Sequence, residues 1–106
     1  MIRVSALYPA TDGARFDHDY YRNSHMALVR DKLGARGMVR ADTDKGLAGG
    51  DGGPPPFVAA AHLYFNSVED FQAAFGSEDG QAVLADIPNY TDIQPQLQVA
   101  EILDGG

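Results

Sequence analysis

The sequence predicts an α+β domain with the element order β-α-β-β-α-β, and three observations carry that expectation. Residues 2–8 alternate, with Ile2, Val4, Ala6 and Tyr8 on one side and Arg3, Ser5 and Leu7 on the other, the period of a strand. Residues 57–65 (FVAAAHLYF) form a nearly continuous apolar run, short enough for a strand buried on both faces. Residues 16–33 and 68–76 instead space their apolar side chains three and four apart, as a helix facing a core does.

Each element follows from local chemistry. Pro9 ends the first strand because it has no amide hydrogen for a ladder, and Asp12-Gly13 makes a turn. Asp17 suits the positive end of the first helix and Gly34 its C-terminal cap. At about 100° per residue, Tyr21, His25, Leu28, Val29 and Lys32 share one half of that helix, opposite Asp19, Asn23, Arg30 and Asp31. Residues 36–44 read as a more polar strand. Gly46 to Pro56 (GLAGGDGGPPP) holds five glycines and three prolines, so it is expected to be a mobile hairpin loop. Ser67 resembles an N-cap with Glu69 and Asp70 in the first turn, and Gly76 is a plausible stop. Residues 79–85 suit a short further helix, 86–92 (DIPNYTD) a loop, and 93–102 the last strand.

This order is the split βαβ of a ferredoxin-like fold, a four-stranded antiparallel sheet with the helices on one face. The other face must be covered too, or it would expose a large apolar patch, and the simplest cover is the same face of a second copy. A homodimer of the dimeric α+β barrel type is therefore expected. With 106 residues, 44% of them hydrophobic and 22% charged, the chain suits one globular domain over residues 1–106.

Charge and composition exclude several functions. A net charge of -7 repels a phosphate backbone, which makes nucleic acid an improbable partner. The absence of cysteine removes disulfides, thiolate catalysis and cysteine-based metal sites. His18 and His25 lie seven apart with no acidic residue at metal-ligand spacing, so no metal is expected. Neither a phosphate loop, a dinucleotide-binding glycine motif nor a nucleophile elbow is present. The N-terminal residues lack the long apolar run of a signal peptide, and nothing reaches the ~20 apolar residues of a membrane span, which makes the cytoplasm the default.

His25 is the leading candidate for chemistry. It sits on an apolar helix face, one turn from Tyr21 and Val29, and histidine exchanges protons near neutrality. The competing reading is a core histidine bonded to a backbone carbonyl. Five tyrosines (Tyr8, Tyr20, Tyr21, Tyr64 and Tyr90) offer rings to hold a planar ligand and hydroxyls to bond its oxygen, although most tyrosines in a small domain only pack. His62 and Tyr64 share one face of the central strand, facing either the helices or a second copy. Asp86, Asn89, Tyr90 and Asp92 cluster before the last strand, where most of them also suit turn chemistry.

Tyr8-Pro9, then Phe16-Asp17 with Tyr20-Tyr21 and His25 (FDHDYYRNSH), then Pro88-Asn89-Tyr90-Thr91-Asp92 with Pro95, resemble the EthD family. The family usually has His-x-Pro on this helix. Ala27 stands at the proline position here, so the helix is expected to run unkinked past His25. The resemblance implies a dimeric α+β barrel with a pocket between sheet and helices. Proteins of this broader type include cofactor-free monooxygenases and polyketide cyclases acting on small planar or lactone-like substrates.

Two functions compete. In the first, an enzyme without metal or organic cofactor uses His25 as general acid or base on a planar, phenolic or lactone-like substrate. Tyr8 or Tyr64 donates to the developing oxyanion, while Tyr21, Leu28, His62, Asn89 and Tyr90 hold the substrate. Isomerase, cyclase, dehydratase and oxygenase chemistry all suit such a proton transfer. In the second, the chain binds a small hydrophobic or aromatic molecule, or assists a partner enzyme, without making or breaking bonds.

Overall fold

A computed structural model describes residues 1–105. The order is β1 (Ile2–Pro9), α1 (His18–Tyr20), a π turn (Tyr21–His25), α2 (Met26–Gly34), β2 (Met38–Lys45), β3 (Phe57–Phe65), α3 (Val68–Phe75), α4 (Glu78–Ala85), a 3-10 turn (Ile87–Asn89) and β4 (Gln96–Glu101). The strands form one antiparallel sheet in the order β2-β3-β1-β4. β1 and β3 are therefore central, which is why their sequences are the most apolar.

Alternation sorts the side chains between two faces. Val4, Ala6 and Tyr8 pair across β1–β3 with Leu63, Ala61 and Ala59, and these residues face the helices. Arg3, Ser5 and Leu7 pair with Tyr64, His62 and Ala60 on the opposite face. That opposite face is not the apolar patch expected from sequence. Ser5 Oγ lies 2.8 Å from His62 Nδ1, Asp44 Oδ2 is 3.4 Å from His62 Nε2, and the Arg40 guanidinium sits 4.6 Å above the Tyr64 ring centre. β2, β3 and β4 supply this polarity, with Asp42 opposite His62 and Gln98 opposite Ser5.

Capping fixes the helices. Asp17 is the N-cap of α1, its carboxylate accepting from the Tyr20 amide at 3.0 Å. Ser67 caps α3 and Ser77 caps α4 by accepting from the amides of Asp70 and Gly80. Gly34 is the last residue of α2 rather than its left-handed cap. Ala35 closes the helix in the right-handed region, and the left-handed step falls at Gly37 (φ 98°), just before β2.

The first helix departs from a uniform 3.6-residue period. Residues 21–25 form a π turn, closed by the Met26 amide on the Tyr21 carbonyl. A π turn carries an additional residue and so advances the phase of the residues after it. Met26 consequently turns inward, and the buried set becomes Tyr21, His25, Met26, Val29 and Leu33. Leu28 and Lys32, placed on the stripe by uniform spacing, lie at its margin and are half-buried. Beyond His25 the helix continues as regular α2, as the alanine at position 27 leads one to expect.

Candidate active site

The site lies where the segment before α1 meets the loop before β4. Phe16 bridges Thr91, and the Asp17 amide donates to the Tyr90 carbonyl at 2.8 Å. Thr91 Oγ1 donates to the Arg15 carbonyl at 2.7 Å, and the Arg15 guanidinium donates to the Pro88 carbonyl at 2.8 Å. These bonds pin residues 86–93 against the helix that carries His25.

His25 is 5% exposed, and its Nδ1 lies 2.9 Å from Asp86 Oδ2. A carboxylate only accepts, so Nδ1 carries the proton and Nε2 is left as the basic nitrogen. Among the described residues Nε2 has no hydrogen-bond partner, and the ring lines a cleft. Asp86 Oδ1 also accepts from Tyr20 Oη and from Asn89 Nδ2, both at 2.8 Å. Desolvation pulls the His25 pKa below its ordinary value, against the opposing pull of Asp86. Partial burial raises the Asp86 carboxyl, but the bonds from His25, Asn89 and Tyr20 outweigh it and hold the group below the usual carboxylate range. The pair is thus a neutral imidazole oriented by an ionised carboxylate.

Tyr8 and Tyr90 make the second polar element. Their hydroxyls are 2.5 Å apart, and Tyr90 is fully buried. Either hydroxyl can donate in this bond, and the arrangement that serves the cleft has Tyr90 Oη donating to Tyr8 Oη. This leaves the Tyr8 proton free for the cleft that Tyr8 lines. Burial pushes both phenols up and keeps them protonated at neutral pH. The Tyr90 ring centre lies 4.6 Å from that of His25, and Tyr21 stacks on His25 at 5.8 Å.

The cleft measures about 790 Å³. It lies between the helix-side face of β1 and β3, helices α2–α4, and residues 87–95. Its floor is low because Ala6 and Ala61 face each other across the central strand pair and neither fills the space above.

The structure brings together His25, Tyr8, Tyr90 and Tyr21, and links Asn89 to them through Asp86. Tyr21, Tyr90 and Asn89 support the site from behind rather than line the cleft, Tyr21 by stacking on His25. It does not bring in Tyr64 and His62, which alternation holds on the opposite sheet face with His62 engaged at both ring nitrogens. Leu28 also lies outside the cleft lining. A signal for the strand was present: the two large apolar residues Leu63 and Phe65 share the face opposite His62 and Tyr64. Asp86 and Tyr20 stood among the candidates without a role, and only the fold joins them to His25 through the Asp86 carboxylate.

The EthD domain family matches residues 10–94. This chain belongs to the EthD family. An EthD-like protein from Ralstonia eutropha JMP134 has a crystal structure that superposes with a TM-score of 0.88 at 45% identity, over 97% of this chain and 92% of that one. An uncharacterised 11.0 kDa protein from the thcB–thcC intergenic region of Rhodococcus erythropolis is 36% identical over 92 residues, covering 85% of this chain and 84% of the relative. The fold alone is shared with a hydroxynitrile lyase from Passiflora edulis, at 13% identity and a TM-score of 0.72 over 99% of this chain and 95% of the lyase. Among the described residues of this EthD protein, no helix is long and apolar enough to cross a membrane.

Proposed function

We propose that this EthD protein is a cofactor-independent enzyme that moves a proton on an enolisable or phenolic substrate. The carrying observation is the His25–Asp86 pair, which holds Nδ1 and leaves Nε2 of a neutral imidazole unbonded in a ring that lines a largely apolar cleft. Nε2 removes a proton from a carbon next to a carbonyl, or from a phenolic oxygen. In the first case the C–H electron pair moves to form an enolate, and the Tyr8 hydroxyl donates to its oxygen. The imidazolium, stabilised by Asp86, then returns the proton to another carbon in an isomerisation, to a departing hydroxyl that leaves as water in a dehydration, or, in a cyclisation, to the alkoxide formed when the enolate carbon bonds to a second carbonyl carbon of the substrate and opens its C=O π bond. Apolar walls exclude water and strengthen each of these interactions. The lyase that shares the fold supports small-molecule chemistry on this scaffold.

The test is thermal unfolding against phenols, quinones, lactones and small ethers, followed by turnover of the hits. A ligand at a hundredfold excess over its Kd stabilises the fold by about 2.7 kcal/mol. The expected result is a stabilising compound that the protein converts, with conversion lost in His25→Ala. Stabilisation without any change in ligand mass after prolonged incubation moves the protein to a binding or accessory role. Full turnover in His25→Ala removes the proposed base.

A further inference from the structure

The cleft has two chemically different ends, and we infer that its ligand is amphipathic, a phenolic or enolisable head carrying an apolar tail. The head rests on the proton-transfer reading above, whereas the tail follows from the lining alone. The polar lining groups Tyr8, His25, Thr91, Asp92 and Gln94 come from the C-terminal end of β1, the end of the π turn and the loop before β4. Away from them the walls are Val4, Leu63, Phe71, Phe75 and Val83, all apolar. Tyr8 and Val4 are four residues apart on one strand, so the two ends stand about 13 Å apart at roughly 3.3 Å per residue. Ala6 and Ala61 keep the path between them open.

Size and exposure agree with a tail. Pockets of about 300–1,000 Å³ hold drug-sized ligands, and a single small ring leaves much of a cleft of about 790 Å³ empty. Beside the cleft, Leu97 is 61% exposed and Val99 45% exposed on the helix-side face of β4, opposite Ala6 and Val4. An apolar tail lying in the cleft reaches Leu97 and covers surface that no helix covers.

Titration calorimetry with 4-alkylphenols from ethyl to octyl tests the tail. Wild type is expected to bind about fourfold more tightly per added methylene, the equivalent of roughly 0.8 kcal/mol each, until the tail meets Phe71 and Phe75. Ala61→Leu fills the floor and is expected to abolish the rise with tail length. Phe75→Ala opens the far wall and is expected to extend the rise to longer tails, a gain that misfolding cannot mimic. Affinity independent of tail length in wild type overturns the inference, even if His25-dependent turnover is present. A rise with tail length that accompanies His25-independent turnover keeps the tail and removes the base. Leu97→Asp separates the tail from a second copy. Loss of the long-tail advantage at unchanged molecular mass supports the ligand, whereas a changed mass with unchanged tail dependence assigns this part of β4 to the second copy and overturns the ligand's claim to it.

Discussion

Three donors hold the Asp86 carboxylate, and because its oxygens only accept, it decides which nitrogen of His25 keeps the proton. In Asp86→Asn the shape stays and the charge goes. Turnover is expected to fall by about 10²–10⁴, with nitrogen NMR of His25 showing a mixture of tautomers where wild type shows one. A lost tautomer preference separates positioning from mere structural support. The pH dependence follows from the same pair. Unfolded, His25 takes a proton near its ordinary value of 6.5, and folded only at lower pH. Between those values the unfolded chain binds more protons, so stability rises with pH through the window and is lost on acidification. Asp86 has the same sign further down, contributing above its ordinary 3.8 and fading as pH falls through its depressed folded value. The melting temperature is therefore expected to hold from pH 8 to about 6.5 and then decline, and a rise between pH 6.5 and 5 would contradict the assignment. That His25 and Tyr8 turn toward the core was legible, because an apolar stripe and an alternating strand mark them in the chain, whereas Tyr90 was marked only as one of a cluster in a loop. The role of Asp86 was not legible, since its partner lies 61 residues away and its own neighbours read as an ordinary turn.

Elements were more legible than sites, because each is set by its own short stretch of sequence. The serine of Ser67-Val68-Glu69-Asp70 is the cap the sequence announces, and such a cap contributes about 1 kcal/mol. The π turn was not legible: nothing in Tyr21-Arg22-Asn23-Ser24-His25 breaks a helix, and the additional residue is accommodated because the Phe16–Thr91 bridge and the Asp17–Tyr90 bond fix where the helix starts. Packing at the α3–α4 corner was equally hidden. A Cβ at Gly80 would meet the Ala74 carbonyl oxygen at 2.4 Å and the Phe75 Cα at 2.5 Å, both backbone. Gly80→Ala is thus expected to destabilise by about 1–3 kcal/mol through overpacking, despite alanine's better helix propensity. Each kcal/mol lowers the melting temperature of a domain near this size by about 4–8 °C. An unchanged or higher value would show that the two helices can part at no cost.

At the scale of the whole molecule, the sheet has one apolar and one polar face, and the polar face is unfinished. The Arg3 Nε is buried there without a partner, beside Tyr64 and the Ser5–His62 pair. An orphaned guanidinium nitrogen is costly, and an acceptor from a second copy removes the cost. A homodimer formed through this face is therefore expected to join polar networks rather than to cover an apolar patch. Light scattering is expected to give about twice 11.4 kDa for wild type and a shift toward 11.4 kDa for Arg3→Glu. A wild-type monomer at high micromolar concentration would count against it. The fold class was legible because element order and strand burial are written in periodicity, whereas the polarity of this face depended on which residues β2, β3 and β4 bring side by side. The alanine floor has a consequence of another kind. Ala6 and Ala61 belong to the sheet, whereas His25 and Asp86 belong to the helical layer, so the gauge that measures a guest's bulk is genetically separable from the groups that act on it. Adding a methyl group or two at either position would retune the range of guests in a single mutational step and leave the reactive end as it stands, a short evolutionary path from one substrate to the next.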